Sequence, residues 1–308
     1  MSTGRNPAVA LALLLAALVA AAGCGLGPGD ELGEASLSVT RDFGSEQIVE
    51  PGEDDVAESD SVMRVLESGA EIETRYGGGF VQAIGGLEAD QSAASGPYDW
   101  FFFVDGIESS VGAADYPLEG GEAIWWDYRN WKASMRVPAV VGSWPAPFAQ
   151  GYGGRPRPVA VECLGGPERA CAAARARVEA TGARLVAGAT PRDAIRVLVG
   201  PWERVAADPV AANLEDGPEK SGVYVEAAPG PGLGLAGLDE QGRLVRELGA
   251  GAGLVAATRS LDDPPLWIVT GAGPGGVLAA VELLAVEHLR DRYAVAVEGD
   301  EEIPLPVR

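Results

Sequence analysis

Hydrophobic and polar positions alternate along this chain with two different periods, and the change of period divides it. "SLSVTRDF" (36–43) has period two and predicts a strand. "SDSVMRVLESGA" (59–70) places Val62, Val65 and Leu66 on one helical face, with Asp60 or Ser61 as N-cap and Gly69 as C-cap. "EIETRY" (71–76) and "GGFVQAIGG" (78–86) read as further strands. So does "EAIWWDYRNW" (122–131), while "YDWFFFVDGIESSV" (98–111) carries Asp105-Gly106 between apolar runs, a hairpin signal. The acidic stretch "VEPGEDDVAESD" (49–60) reads as a solvated loop and lacks the ligand spacing of a calcium loop. One helix among five or six strands predicts an α+β domain over 36–144, with β-grasp-like packing of helix on sheet.

Residues 145–158, "PAPFAQGYGGRPRP", are rich in Pro and Gly and mark a linker. Beyond it, apolar strands alternate with helices in three units, which predicts an α/β domain over 159–308 with a mostly parallel sheet. One interruption, residues 233–259, reads as a hairpin turning near Asp239 to Gly242. The helix after the last Gly-rich turn is expected to run over 274–291. With three strand-helix units to bury its own core, this half is expected to fold alone.

The start of the chain has a different character. Arg5 followed by the apolar run 8–22 reads as a signal peptide over 1–23. Ala21-Ala22-Gly23-Cys24 resembles a bacterial lipobox, so Cys24 is the expected lipidation site and 24–35 a flexible tether. Ordinary secretion after cleavage at a small residue is the alternative. Either route places the protein outside the cytoplasm: attached to the membrane through the lipid anchor alone if Cys24 is lipidated, and secreted if it is not.

Charge and composition then remove whole classes of function. The net charge is −22. Residues 24–150 hold 23 acids and 6 bases, or −17; residues 151–308 hold 22 and 16, or −6. Such a surface repels nucleic acid. His288 is the single histidine, which excludes a cluster of histidine metal ligands and leaves histidine-dependent catalysis poorly supported. The "GAGPGG" at 271–276, with Glu298 further on, has the layout of a dinucleotide fingerprint. Gly is abundant, 43 residues, and Pro274 suits the first position of a helix, so the motif is read as a structural turn with no cofactor. No residue set singles out an enzyme. Cys163 and Cys171, eight apart in an exported chain, are expected to form a disulfide, with two buried free thiols as the alternative.

The aromatics are the remaining signal. Twelve of the 20 Phe, Tyr and Trp residues fall between Tyr98 and Phe148. In a regular strand, Ile124, Trp126 and Tyr128 share one face, and Trp125, Asp127 and Arg129 the other, joined by Trp131. The first set suits a core. The second face, polar but carrying flat rings, is where a ligand would dock. The alternative is a sheet buried on both faces because the other half of the chain packs there.

Three stretches in order carry a resemblance: "GGFVQAIGG", "DWFFFVDG" (99–106), and the string G-x-A-D-Y-x5-E-x-I-x6-W. The string is filled by Gly112, Ala114, Asp115, Tyr116, Glu122, Ile124 and Trp131. Residues 36–131 thereby resemble the transcobalamin-like C-terminal domain, the β-rich module that closes over the corrinoid in animal cobalamin carriers and occurs in bacterial surface lipoproteins. The resemblance implies a corrinoid (cobalamin-like) or other planar ligand, transported rather than used as a cofactor. It also implies a site built from Tyr76, Trp100, Tyr116, Trp125 and Trp131. The animal carriers add a helical barrel that this sequence lacks, so a helical-barrel partner protein and a vitamin transporter are the implied partners. A non-catalytic adhesion or envelope module, binding glycan or protein through exposed aromatics, is the alternative.

Overall fold

The computed structural model describes residues 29–228 and 234–308; Cys24 and the signal segment lie outside the described residues. It is mixed α and β with several sheets. The first half contains β1 (Glu31–Arg41), β2 (Glu46–Ala57), α1 (Val62–Gly69), β3 (Ile72–Arg75), β4 (Phe80–Ile84), β5 (Leu87–Glu88), β6 (Tyr98–Val104), β7 (Ile107–Glu108) and β8 (Ala123–Asn130). Five of these strands form one sheet in the order β2-β1-β8-β6-β7, and β1 and β8 run parallel at its centre. Strands β3, β4 and β5 make a separate small sheet.

Helix α1 forms where its apolar spacing predicts, with the Ser61 side chain accepting from Arg64 N. Gly69 is its last helical residue rather than its cap. A Cβ there would stand 2.5 Å from Leu37 Cδ2, so the missing side chain lets the helix end settle on β1. The acidic stretch expected to be a loop is instead mostly strand, because residues 49–57 belong to β2. Its backbone pairs with β1 through two register shifts, and its charged side chains stay in water. Charges on an edge strand discourage further pairing, so acidic sequence and strand are compatible there.

The second half contains α2 (Ala146–Ala149), β9 (Pro158–Cys163), α3 (Glu168–Ala180), β10 (Arg184–Leu185), β11 (Ile195–Pro201), α4 (Trp202–Val205), α5 (Pro218–Ser221), β12 (Val225–Ala228), β13 (Gly234–Leu238), β14 (Leu244–Leu248), β15 (Gly253–Thr258), β16 (Leu266–Gly271), α6 (Pro274–Glu282), α7 (Val286–Leu289), β17 (Ala294–Glu298) and β18 (Glu301–Leu305). Its main sheet runs β10-β9-β11-β16-β15-β17-β18. The first four strands are mutually parallel; β15, β17 and β18 then join by antiparallel pairing. The expectation of a mostly parallel sheet holds over β10, β9, β11 and β16, and the other edge turns antiparallel for a specific reason. Strand β12, which should have returned to this sheet, leaves to pair with β13, and β15 re-enters beside β16.

The hairpin of β13 and β14 does turn where the sequence indicated, with Asp239 accepting from Gln241 N and Arg243 N. The helix expected over 274–291 is broken into α6 and α7. The glycines before it are consumed by packing: a Cβ on Gly276 would lie 2.0 Å from Ala252 O, and one on Gly271 would lie 2.4 Å from Gly276 C. Glu298 pairs with Arg246 and accepts from Gly249 N. Cys163 and Cys171 are bridged, with Cα atoms 5.8 Å apart. In the chain-entropy picture a loop this short is worth about 2–3 kcal/mol.

The stretch expected to be a linker is packed at its start, over residues 146–148, together with Trp144 just before it. Trp144 and Phe148 are buried against Trp267, with ring centroids 5.7 and 4.8 Å away. The two halves also share a core in which Phe43, Phe103 and Trp125 meet Tyr224 and Tyr293. This joint covers the second face of the first sheet.

Candidate functional site

Strands β6 and β8 divide the aromatics cleanly between two faces. Trp100 and Phe102 of β6 stand opposite Tyr128 and Trp126 of β8, facing α1 and the small sheet. Trp100 Nε1 donates to Leu87 O at 3.0 Å, and the Tyr128 hydroxyl donates to Glu88 O at 2.9 Å. These two bonds fasten β5 over the rings, so Trp100, 8% exposed, is core rather than ligand surface.

On the other face, the alternation read from sequence is correct but its consequence is not. Trp125 is 2% exposed and sits 5.3 Å from Tyr293 and 5.4 Å from Phe103, centroid to centroid. Its indole N–H donates to Thr40 Oγ1 at 2.8 Å, and Thr40 donates to Asp127 Oδ1 at 2.6 Å. Trp125 as an open docking ring is therefore corrected: the second half of the chain occupies the place expected for a ligand. Arg129 on the same face is fully buried, 3.8 Å over the Phe101 ring, and donates to the Ser134 and Met135 carbonyls.

Asp127 is the electrostatic centre of that face. Its carboxylate accepts from Thr40 Oγ1, Phe43 N, Gly44 N and the Tyr293 hydroxyl. Burial pushes its pKa up to about 6, against the opposing pull of those donors and of Arg129. Burial likewise raises Asp105 to about 7. A carboxyl whose folded pKa exceeds its unfolded value binds protons more readily when folded. Its contribution to stability is full below about pH 4 and is lost as pH rises through about 6. We expect the stability of the wild type minus that of Asp127→Asn, from denaturant unfolding, to fall between about pH 4 and about pH 8. A difference that stays flat or grows over that range contradicts the assignment.

The residues of the longest motif mostly build a turn. Glu122 accepts from Glu119 N and Gly120 N. The 112–118 loop caps α1, with Met63 N donating to Ala113 O and Val62 N to Tyr116 O. Tyr116 is half-buried, edge-on to Phe102 at 6.4 Å, and burial beside Asp105 and Glu122 pushes its hydroxyl up to about 12. Trp131 is half-buried just after β8, its backbone N–H donating to Pro97 O. The five residues expected to share one site are thus dispersed. Trp100 and Tyr116 pack on the helix side, Trp125 on the opposite face, and Trp131 follows the end of β8.

Tyr76 alone is open, 87% exposed. It begins a turn between β3 and β4 in which Tyr76, Gly77 and Gly78 all adopt left-handed backbone, with φ of 54°, 75° and 94°. Such a conformation is costly for an aromatic residue and clusters at functional sites. Phe80, 42% exposed, lies edge-on to Tyr76 at 6.2 Å. A Cβ on Gly112 would fall 3.8 Å from Gly79 O, which brings Val111, 49% exposed, to the same end of the molecule. Sequence reading missed Phe80 and Val111. The signal was the run Tyr76-Gly-Gly-Gly-Phe80, where glycines that follow an aromatic permit a turn holding both rings outside.

Comparison with known proteins bears on this same region. Residues 59–130 match a family described as Domain of unknown function (DUF4430). The DUF4430 match runs from just before α1 to the end of β8, so it includes the aromatic tip and leaves out β1 and β2. Among solved structures, a Ruminococcus gnavus protein whose description proposes metal binding is 18% identical, with a TM-score of 0.25. That match covers 32% of this chain and 97% of the other. Among the described residues no group of three or more His, Cys, Asp or Glu could hold a metal ion. No curated protein matches the chain.

Proposed function

We propose that this chain is an extracytoplasmic binding protein, lipid-anchored through Cys24, that captures a flat ligand of the corrinoid class on its aromatic tip. A helical-barrel partner completes the cradle, and an uptake system receives the ligand. The observation that carries the reading is Tyr76, held outside by three consecutive left-handed residues beside exposed Phe80. Rings held rigidly in water are the surface a planar macrocycle covers at low entropic cost. In this reading α1, packed on β1 and β2, is the helix-on-sheet arrangement of a grasp-like domain. The second reading is adhesion, in which the same open tip meets a glycan or a protein; it is favoured by the lack of an enclosing wall around Tyr76.

Cobalamin titration by fluorescence or calorimetry separates the two. Each of Tyr76→Ala and Phe80→Ala should weaken binding by about ten-fold or more, since an aromatic contact is worth ~1.5–3 kcal/mol. Both should leave the melting temperature nearly unchanged. Failure of the wild type to bind cobalamin, with the partner present, eliminates capture and leaves adhesion. The anchor is tested separately: Cys24→Ser should release the protein to the medium, and equal membrane retention of both forms removes the lipoprotein assignment.

A further inference from the structure

The joint between the two halves is sealed along Trp125, Asp127 and Arg129 but gapes at its other end. There the face of β1 that carries Ser36 and Ser38 looks onto the connector around Ser143 and the turn at Asp291, across a cleft of about 640 Å³. We infer that this cleft is a binding site for a small, neutral, hydroxyl-rich molecule of the monosaccharide or polyol class. None of the tip residues Tyr76, Phe80 and Val111 lines it.

Three observations point to a ligand there. The first is Asp291, a non-glycine residue in left-handed backbone (φ 54°). Its N–H donates to Gly142 O and its Oδ1 accepts from Ser38 Oγ at 3.1 Å, whereas Oδ2 takes no hydrogen bond from a described residue. A left-handed residue on a cavity lining with one carboxylate oxygen free of protein donors is a candidate binding residue. The second is Ser143, 92% buried on the cleft lining, whose Oγ has no hydrogen-bond partner among the described residues. Buried polar atoms are nearly always paired, and this orphan lies beside the cleft, just beneath its lining. The third is the mixture of chemistry. Two carboxylates, Glu53 and Asp291, share the lining with one guanidinium, Arg290, and with three serines.

That set discriminates between ligand classes. A cation would meet Arg290, and an anion would meet Asp291 and Glu53. A neutral ligand whose every hydroxyl both donates and accepts satisfies all of them. The volume lies within the range of small-molecule sites. Gly142 is held to glycine by its neighbours: a Cβ there would stand 2.6 Å from Trp125 and 2.8 Å from Arg292 N, forcing the connector out of the cleft wall.

The test uses the mature protein and a defined panel: glucose, galactose, mannose, N-acetylglucosamine and myo-inositol, with putrescine and citrate as charged comparators. Each is titrated to about 10 mM, the range of weak small-ligand affinities, by saturation-transfer NMR and tryptophan emission. At least one neutral member should bind saturably. Asp291→Asn, which keeps a residue tolerant of left-handed backbone, should weaken that binding about ten-fold. Ser36→Trp should abolish it by filling the cleft, and Tyr76→Ala should leave it unchanged. Melting curves on each variant confirm that the fold survives. The proposal is overturned if no neutral member binds the wild type, if binding survives both cleft substitutions, or if only putrescine or citrate binds.

Discussion

Trp125→Ala should destabilise the protein by about 3–5 kcal/mol and lower its melting temperature by roughly 10 °C. The ring fills the joint between the halves, against Phe103 and Tyr293, and its N–H anchors Thr40, which in turn holds Asp127. Truncation leaves a cavity and removes a donor from a buried hydroxyl that the Asp127 network depends on. Trp131→Ala, at a half-buried position outside that network, should cost far less. Thermal melts of the two variants decide the matter. Equal, small losses would mean that Trp125 is peripheral and the joint loosely packed.

The second half expressed alone, residues 159–308, should not fold cooperatively. Phe43, Phe103 and Trp125 from the first half, and Trp144 and Phe148 from the connector, complete its two cores. Five large rings at ~1.5–3 kcal/mol each amount to roughly 10 kcal/mol, comparable with the entire stability of a typical domain. The isolated fragment is expected to show a broad transition and to bind a hydrophobic dye. A sharp melt within a few degrees of the full chain would restore the independence that its strand-helix units suggested.

Local features were legible because local chemistry decides them. Ser61 caps α1, and Asp105-Gly106 turns the hairpin with φ of 51° and 77°. The two faces of β8 follow from alternation alone. What failed was everything set by a partner distant in sequence. No periodicity in "EAIWWDYRNW" says whether its second face meets solvent or another half of the same chain. The burial of Trp125 was decided by Tyr224 and Tyr293. Acidic β2 looked like a loop because an edge strand needs backbone pairing but little apolar sequence. In the C-terminal sheet, strand type was readable but strand order was not, since β12 and β15 exchange the places that simple alternation assigns them. The candidate site suffered most, because exposure is a tertiary property: of the five residues expected to bind, only Tyr76 is open.

The bond from Tyr293 to Asp127 spans 166 residues, and it has a consequence for how the protein comes to exist. As synthesis proceeds from the N-terminus, the first sheet can assemble once β8 has emerged, but its second face stays uncovered until nearly the whole chain is made. During that interval it presents Phe43, Phe103 and Trp125 to water, around an Asp127 whose phenol partner has not yet been translated. Such long-range closure is slow, and exposed apolar faces aggregate while they wait. The nascent N-terminal half should therefore depend on a holding chaperone until its last strands arrive.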